Sequence, residues 1–106
     1  MWKIDSGSEA GATAGSYASA LDWNVSEFAA KTILLKNTDG SDSLKYRLLG
    51  YAVGGGVAKE LVPETLLSPG DIAEFHYDRQ WHTLVLQVVD GSGSATYTVD
   101  YQGQGA

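Results

Sequence analysis

The chain contains no cysteine among its 106 residues. This excludes a disulfide framework and any thiolate-ligated zinc site. Proline is nearly absent too, limited to Pro63 and Pro69, so few segments are barred from a central strand. Positive charge is scarce. Seven Lys and Arg stand against thirteen Asp and Glu, for a formal net charge of −6 and a pI near 4.6. Such a chain lacks the basic footprint that a nucleic-acid backbone demands and the cationic face that an anionic membrane attracts. No apolar run approaches the ~18–20 residues of a membrane-spanning helix. The opening MWKIDSGSEAGATAG has no apolar h-region, so no secretory leader is expected, and synthesis and folding are expected in the cytoplasm.

What is present is β-forming pattern punctuated by glycine, of which there are thirteen. The stretch from Trp81 to Tyr101 is the most informative. WHTLVLQVVD and ATYTVDY flank a Gly/Ser turn, and the spacing predicts a β-hairpin. Ala95, Tyr97, Val99 and Tyr101 alternate with Thr96, Thr98 and Asp100. The preceding run is apolar on both sides, with Leu84, Leu86 and Val88 opposite Trp81, Val85 and Val89. Leu21, Trp23 and Val25 share one strand face, and Ile33 and Leu35 another, with Leu34 opposite. In the segment 44–53, Tyr46 and Leu48 face one way, while Leu49, Tyr51 and Val53 face the other. Gly50 marks a bulge or a close backbone approach. Two short strands, 58–62 and 64–67, are expected at an edge because Pro63 cannot donate to a ladder. Ala73, Phe75 and Tyr77 point inward in the next strand, against Ile72, Glu74 and His76 outward. Roughly seven or eight strands separated by turns predict one antiparallel β-sandwich, immunoglobulin-like or jelly-roll, spanning 20–106. Residues 1–19, rich in Gly, Ala and Ser, are expected to form an arm, flexible or ordered on a neighbouring subunit.

The residues that carry chemistry form no convincing constellation. Asn37-x-Asp39-Gly40-x-Asp42 imitates the start of a calcium loop, but the position that should hold a bidentate Glu is Leu48, inside a predicted strand. Gly54 to Gly56 joins two strands instead of feeding a helix, so it lacks the form of a phosphate loop. His76 and His82 flank a short connection and read as surface residues. The serines lie mostly in turns, with no G-x-S-x-G elbow. No catalytic residue, metal site or cofactor is expected, and the chain reads as non-enzymatic. The aromatic residues remain. Trp2, Tyr17, Tyr51, Trp81 and Val85 are the candidate interface residues, since Trp and Tyr are enriched at protein interfaces and the strands offer a second apolar face.

Three stretches in order carry a family resemblance: AAKTILLKNTDGSDSLKYRLLGYAVGG, ELVPETLLSPGDIAEF and WHTLVLQVVDGSGSATYTVDY. The features are the Lys36–Thr38 strand end, the Tyr46–Gly50 strand, the Leu67–Gly70 turn and the closing pair of strands after Trp81. Over roughly residues 28–103 the chain resembles small β-sandwich virion structural proteins of tailed bacteriophages and prophages, of the head decoration or cement type. The resemblance implies a partner in the major capsid protein or another virion subunit, a homo-oligomer with a trimer favoured, and a place in the virion. A tail or head–tail adaptor subunit and a carbohydrate- or host-surface-binding module are the alternatives.

Overall fold

A computed structural model of the chain describes residues 3–105. Eight strands account for the architecture: β1 (Lys3–Ala12), β2 (Ala18–Asn24), β3 (Ala30–Asn37), β4 (Leu44–Tyr51), β5 (Ala58–Leu67), β6 (Ile72–Tyr77), β7 (Thr83–Asp90) and β8 (Thr96–Gly105). They form two four-stranded antiparallel sheets, ordered β1-β8-β3-β6 and β2-β7-β4-β5. The fold is thus an all-β sandwich, as the alternation predicts. Its strand order is that of a jelly roll, in which successive strands cross between sheets. Only β4 and β5 are both consecutive and hydrogen-bonded to each other.

Three expectations change. The stretch 81–101 is not a hairpin: β7 lies in one sheet and β8 in the other. Two apolar runs around Gly91–Ser94 look the same whether the turn reverses within a sheet or steps across the ~10 Å between sheets. The segments 58–62 and 64–67 are one edge strand, β5, which absorbs Pro63 through shifts in its register with β4. The expected arm is largely regular structure. Lys3–Ala12 pairs with the full length of β8 in the same chain, and Ala18 begins β2.

The physical reason the first strand escapes a periodicity search lies in its glycines. Gly7 stands opposite Tyr101 and Gly11 opposite Tyr97. A Cβ on Gly7 would come within 2.5 Å of the Tyr101 hydroxyl, and one on Gly11 within 2.7 Å of the Tyr97 hydroxyl. Each tyrosine ring covers the bare backbone of its neighbour, so β8 supplies the side-chain mass that β1 lacks. Trp23 packs 4.9 Å from Tyr101, centroid to centroid, and its indole N–H donates to the Asp5 carboxylate at 3.1 Å.

Between the sheets lies one core, including Ile33, Leu35, Leu48, Leu84, Leu86, Val88 and Val99. Three polar side chains are buried with their hydrogen bonds made: Thr13, whose hydroxyl donates to Asp90 and accepts from the Ala95 amide, Asn37 and Lys31. Asn37 donates to the carbonyls of Asp42 and Leu67, and its Oδ1 accepts from the Asp39 amide. Lys31 is 1% exposed. Its ammonium donates to the Phe28 carbonyl at 2.9 Å and to the Arg79 carbonyl, joining the β2–β3 and β6–β7 connections. Burial lowers its pKa from the ordinary lysine value.

Trp81 packs, partly buried, against this interior and not on the outer face with Val85. Its ring lies against the inner side of Gly50 beside Leu61, where a Cβ on Gly50 would approach the ring to 3.0 Å. Its indole Nε1 is buried without a hydrogen-bond partner among the described residues. Trp81→Ala is therefore expected to destabilise folding by about 2–4 kcal/mol through lost packing. Trp81→Phe removes the unpaired N–H and should stay within about 1–1.5 kcal/mol of the parent. Urea denaturation of the two variants checks both values, and an unchanged midpoint for Trp81→Ala would contradict the placement.

Candidate interaction surface

Outward positions of the β2 sheet follow from strand alternation. On β4 they are Lys45, Arg47, Leu49 and Tyr51, and on β7 they are Thr83, Val85, Gln87 and Val89. The register sets Leu49 beside Val85 and Tyr51 beside Thr83, with Asp22 of β2 on the far side of Val85. Val85 is 7% exposed although it points away from the core, because its neighbours on this face enclose it. Ser19, Asp22, Tyr51, Gly55, Thr83, Val85 and Gln87 line a shallow groove of about 330 Å³ there.

The β4–β5 connection stands at this end of the face. It runs Ala52-Val53-Gly54-Gly55-Gly56-Val57, and Gly55 takes a left-handed conformation with φ of 71°. The Gly56 amide donates to the Val53 carbonyl and closes the turn. Val53 is 62% exposed and Val57 is 90% exposed. Leaving two β-branched apolar side chains in water on one short loop forgoes burial that is ordinarily worth about 1.5–3 kcal/mol each.

At the other end of the face Tyr17 organises a polar cluster. The Arg47 guanidinium lies 4.0 Å from the centre of the Tyr17 ring, a cation–π contact. Arg47 Nε donates to Gln87 Oε1 at 2.7 Å, and the Tyr17 hydroxyl donates to the Glu64 carboxylate. Burial is the first cause that pushes the Tyr17 pKa up to about 12, followed by its hydrogen bond to Glu64 and the charge of that carboxylate.

Of the five expected interface residues, Tyr17, Tyr51 and Val85 thus share one face, and Trp81 does not. Trp2 lies outside the described residues. Arg47, Asp22, Gln87 and Val57 were not singled out from the sequence. Outward alternation on β4 and β7 contains Arg47 and Gln87, but nothing local marks Val57, which precedes a strand. The histidines are separated by the sandwich: His76 Nδ1 meets Thr32 Oγ1 on the outside of the β1 sheet, and His82 Nδ1 meets Thr83 Oγ1 at the start of β7. In the Asn37–Asp42 loop, the Asp39 carboxylate accepts the amide of Asp42 and then that of Ser41, and these bonds lower its pKa. Among the described residues no three of His, Asp and Glu cluster as a metal-binding set would.

No protein-family model matches the chain, and no curated protein matches it by sequence. Solved structures do. A chain of the Bacillus endospore appendages, a family of disulfide-linked pili, aligns at TM-score 0.63 and 14% identity, covering 99% of this chain and 89% of that one. The Yersinia pseudotuberculosis-derived mitogen aligns at 0.62 and 13%, covering 92% and 84%. The SPBc2 prophage-derived protein YomS aligns at 0.52 and 15%, covering 97% and 96%. A chain of infectious bursal disease virus, Gx strain, aligns at 0.55 and 11%, covering 98% of this chain but 32% of its own length. At these identities the likeness is one of fold, and this fold serves unrelated roles.

The Tyr17 cluster gives a direct titration test. A phenol whose folded pKa exceeds its unfolded value of 10 stabilises the fold below pH 10, and that contribution is lost as pH rises toward 12. Ultraviolet titration of the folded protein should show a tyrosinate signal near 12 that vanishes in Tyr17→Phe and moves down in Glu64→Gln. A Tyr17 signal at 10 would refute the contact.

Proposed function

We propose that this chain is a non-enzymatic virion structural protein, a head decoration or cement subunit that binds neighbouring capsid subunits. The observation that carries the reading is the apolar loop of Val53 and Val57 beside the Tyr51–Val85 groove; Val57 is the most exposed large apolar side chain among the described residues of an acidic chain. The sequence resemblance to phage sandwich proteins supports it. So does the occurrence of the same fold in a prophage-derived protein and in a virus chain. Its mechanism is burial without chemistry. Each apolar contact contributes roughly 25 cal/mol per Å² removed from water, and repetition over a closed lattice makes many modest contacts act together. The loop is suited to this because its three glycines let the backbone adapt to a partner while the valines supply area.

A second reading draws on the groove itself. The Tyr51 ring, the Asp22 carboxylate and the Gln87 amide around one shallow depression form the combination of aromatic wall and polar groups with which a sugar ring is held.

The test is loading onto particles of the virus or prophage that encodes the chain. Wild type should be present in purified virions at a copy number that tracks the major capsid protein. Val53→Asp with Val57→Asp should keep the parent melting curve and lower that copy number by about tenfold or more, because charge replaces buried apolar area. Absence from virions, or undiminished loading of the double variant, would overturn the proposal. A small fixed copy number would instead indicate a tail or adaptor ring. Particle-free binding of an oligosaccharide that is lost in Tyr51→Ala would favour the sugar reading.

A further inference from the structure

The four sheet edges are not equally guarded. β5 carries Pro63 and two register shifts, β2 is shifted between Ser19 and Leu21, and β6 is only six residues long. β1 has none of these devices. It is ten residues long, in unbroken register with β8, and free of proline, and its other side is the open edge of the sheet. Such an edge presents a row of backbone donors and acceptors ready to take another strand.

We propose that β1 pairs antiparallel with β1 of a second copy of this chain, about a two-fold axis, to make one eight-stranded sheet. This inference stands apart from the capsid reading and differs from the trimer that the family resemblance implies, because the contact it proposes is isologous.

The side chains select the register. Lys3, Asp5, Gly7, Glu9 and Gly11 lie on one side of β1, and Ile4, Ser6, Ser8, Ala10 and Ala12 on the other. A pairing that preserves both faces sets odd residues against odd and even against even. With Ser6 opposite Ser6 of the second copy, Lys3 meets Glu9 in both directions and each Asp5 meets a glycine. With Gly7 opposite Gly7, Asp5 meets Glu9 twice, which is repulsive. With Glu9 opposite itself, two carboxylates collide. With Ser8 opposite Ser8, the acids face glycines and no ion pair forms. With Asp5 opposite itself two carboxylates again collide, and with Ile4 opposite Ile4 Lys3 meets Asp5 but only residues 3–5 of the strand overlap. The Ser6-centred arrangement is the one that pairs opposite charges while overlapping all of residues 3–9.

A second observation fits the same register. The Tyr101 hydroxyl projects over Gly7 on the edge strand. Ser6-centred pairing brings Asp5 of the second copy opposite Gly7, within reach of that phenol. The inner carboxylate oxygen of Asp5 already accepts from Trp23, which leaves its other oxygen for the tyrosine.

The experiment uses charge reversal and cross-linking on the full chain. Light scattering across a dilution series should show a monomer–dimer equilibrium for wild type. Lys3→Glu and Glu9→Lys should each weaken dimerisation by roughly tenfold, since two pairs change sign at once. The combined Lys3→Glu/Glu9→Lys chain should recover it. Lys3 also bridges to Glu27 at 2.6 Å, so Glu27→Gln serves as the control and should leave dimerisation unchanged. Because the parent has no cysteine, Ser6→Cys should give a disulfide-linked dimer on mild oxidation, whereas Ser8→Cys should not. A monomer at every concentration, a dimer indifferent to the single reversals, or preferential cross-linking through position 8 would overturn the proposal.

Discussion

The pairing of β1 with β8 is the contact on which the rest of this molecule depends. It joins the first described residues to the last, Lys3 to Gly105, across nearly the whole sequence. Bringing such distant segments together costs loop-closure entropy before any contact offsets it. The offset comes from an unusual division of labour. β1 contributes bare backbone at Gly7 and Gly11 of its inner face, and Tyr101 and Tyr97 lie across those two positions. Tyr101 then meets Trp23 of the opposite sheet, and Trp23 meets Phe28 with centroids 5.9 Å apart. Gly103 repeats the device on β8, where a Cβ would come within 2.8 Å of both Trp23 and Phe28. Glycine is therefore part of the packing here, because an aromatic ring occupies the space a side chain would take.

That same device explains what could be read from the sequence. Where strands carry large apolar residues, alternation grouped the residues that share the inner face, as with Leu21 and Trp23, Ile33 and Leu35, Tyr46 and Leu48, or Ala73 and Phe75, and left open for the two-sided strands which group faces the core. It failed for β1, whose inner positions include Gly7 and Gly11 and whose burial depends on partners about ninety residues away. It failed again at Gly91–Ser94, because turn chemistry specifies a reversal and not whether the chain returns to the same sheet. Trp81 was misplaced for a related reason: it sits in the connection before β7, where strand alternation does not extend. Gly50 was the available signal, since a glycine inside an apolar strand marks a close approach, and the approaching group is Trp81.

The candidate surface was half legible. Tyr51 and Val85 fall outward by simple alternation, and the register brings them together. Tyr17 lies where no periodicity reaches, and its place depends on Arg47 and Glu64 from two other strands. The chain spends its buried polar groups on structure. Lys31 and Asn37 hold connections, and Asp39 braces its own loop. What faces outward includes apolar valines on a glycine loop at one place and a long, proline-free strand edge in regular register at another. On the two proposals made above, both would serve contact with other protein surfaces, and a two-fold pair would present two copies of the valine loop to a partner lattice, with the gain in avidity that linkage brings.

Amide hydrogen exchange over residues 3–12, in dilute protein where any self-association is absent, tests the β1–β8 closure most directly. The account predicts slowed exchange at those amides of β1 that bond to β8, opening together with β8 and lost in a Tyr97→Ala/Tyr101→Ala variant. Exchange of the whole 3–12 segment at the rate of a free peptide, with β3 and β8 still protected, would contradict it.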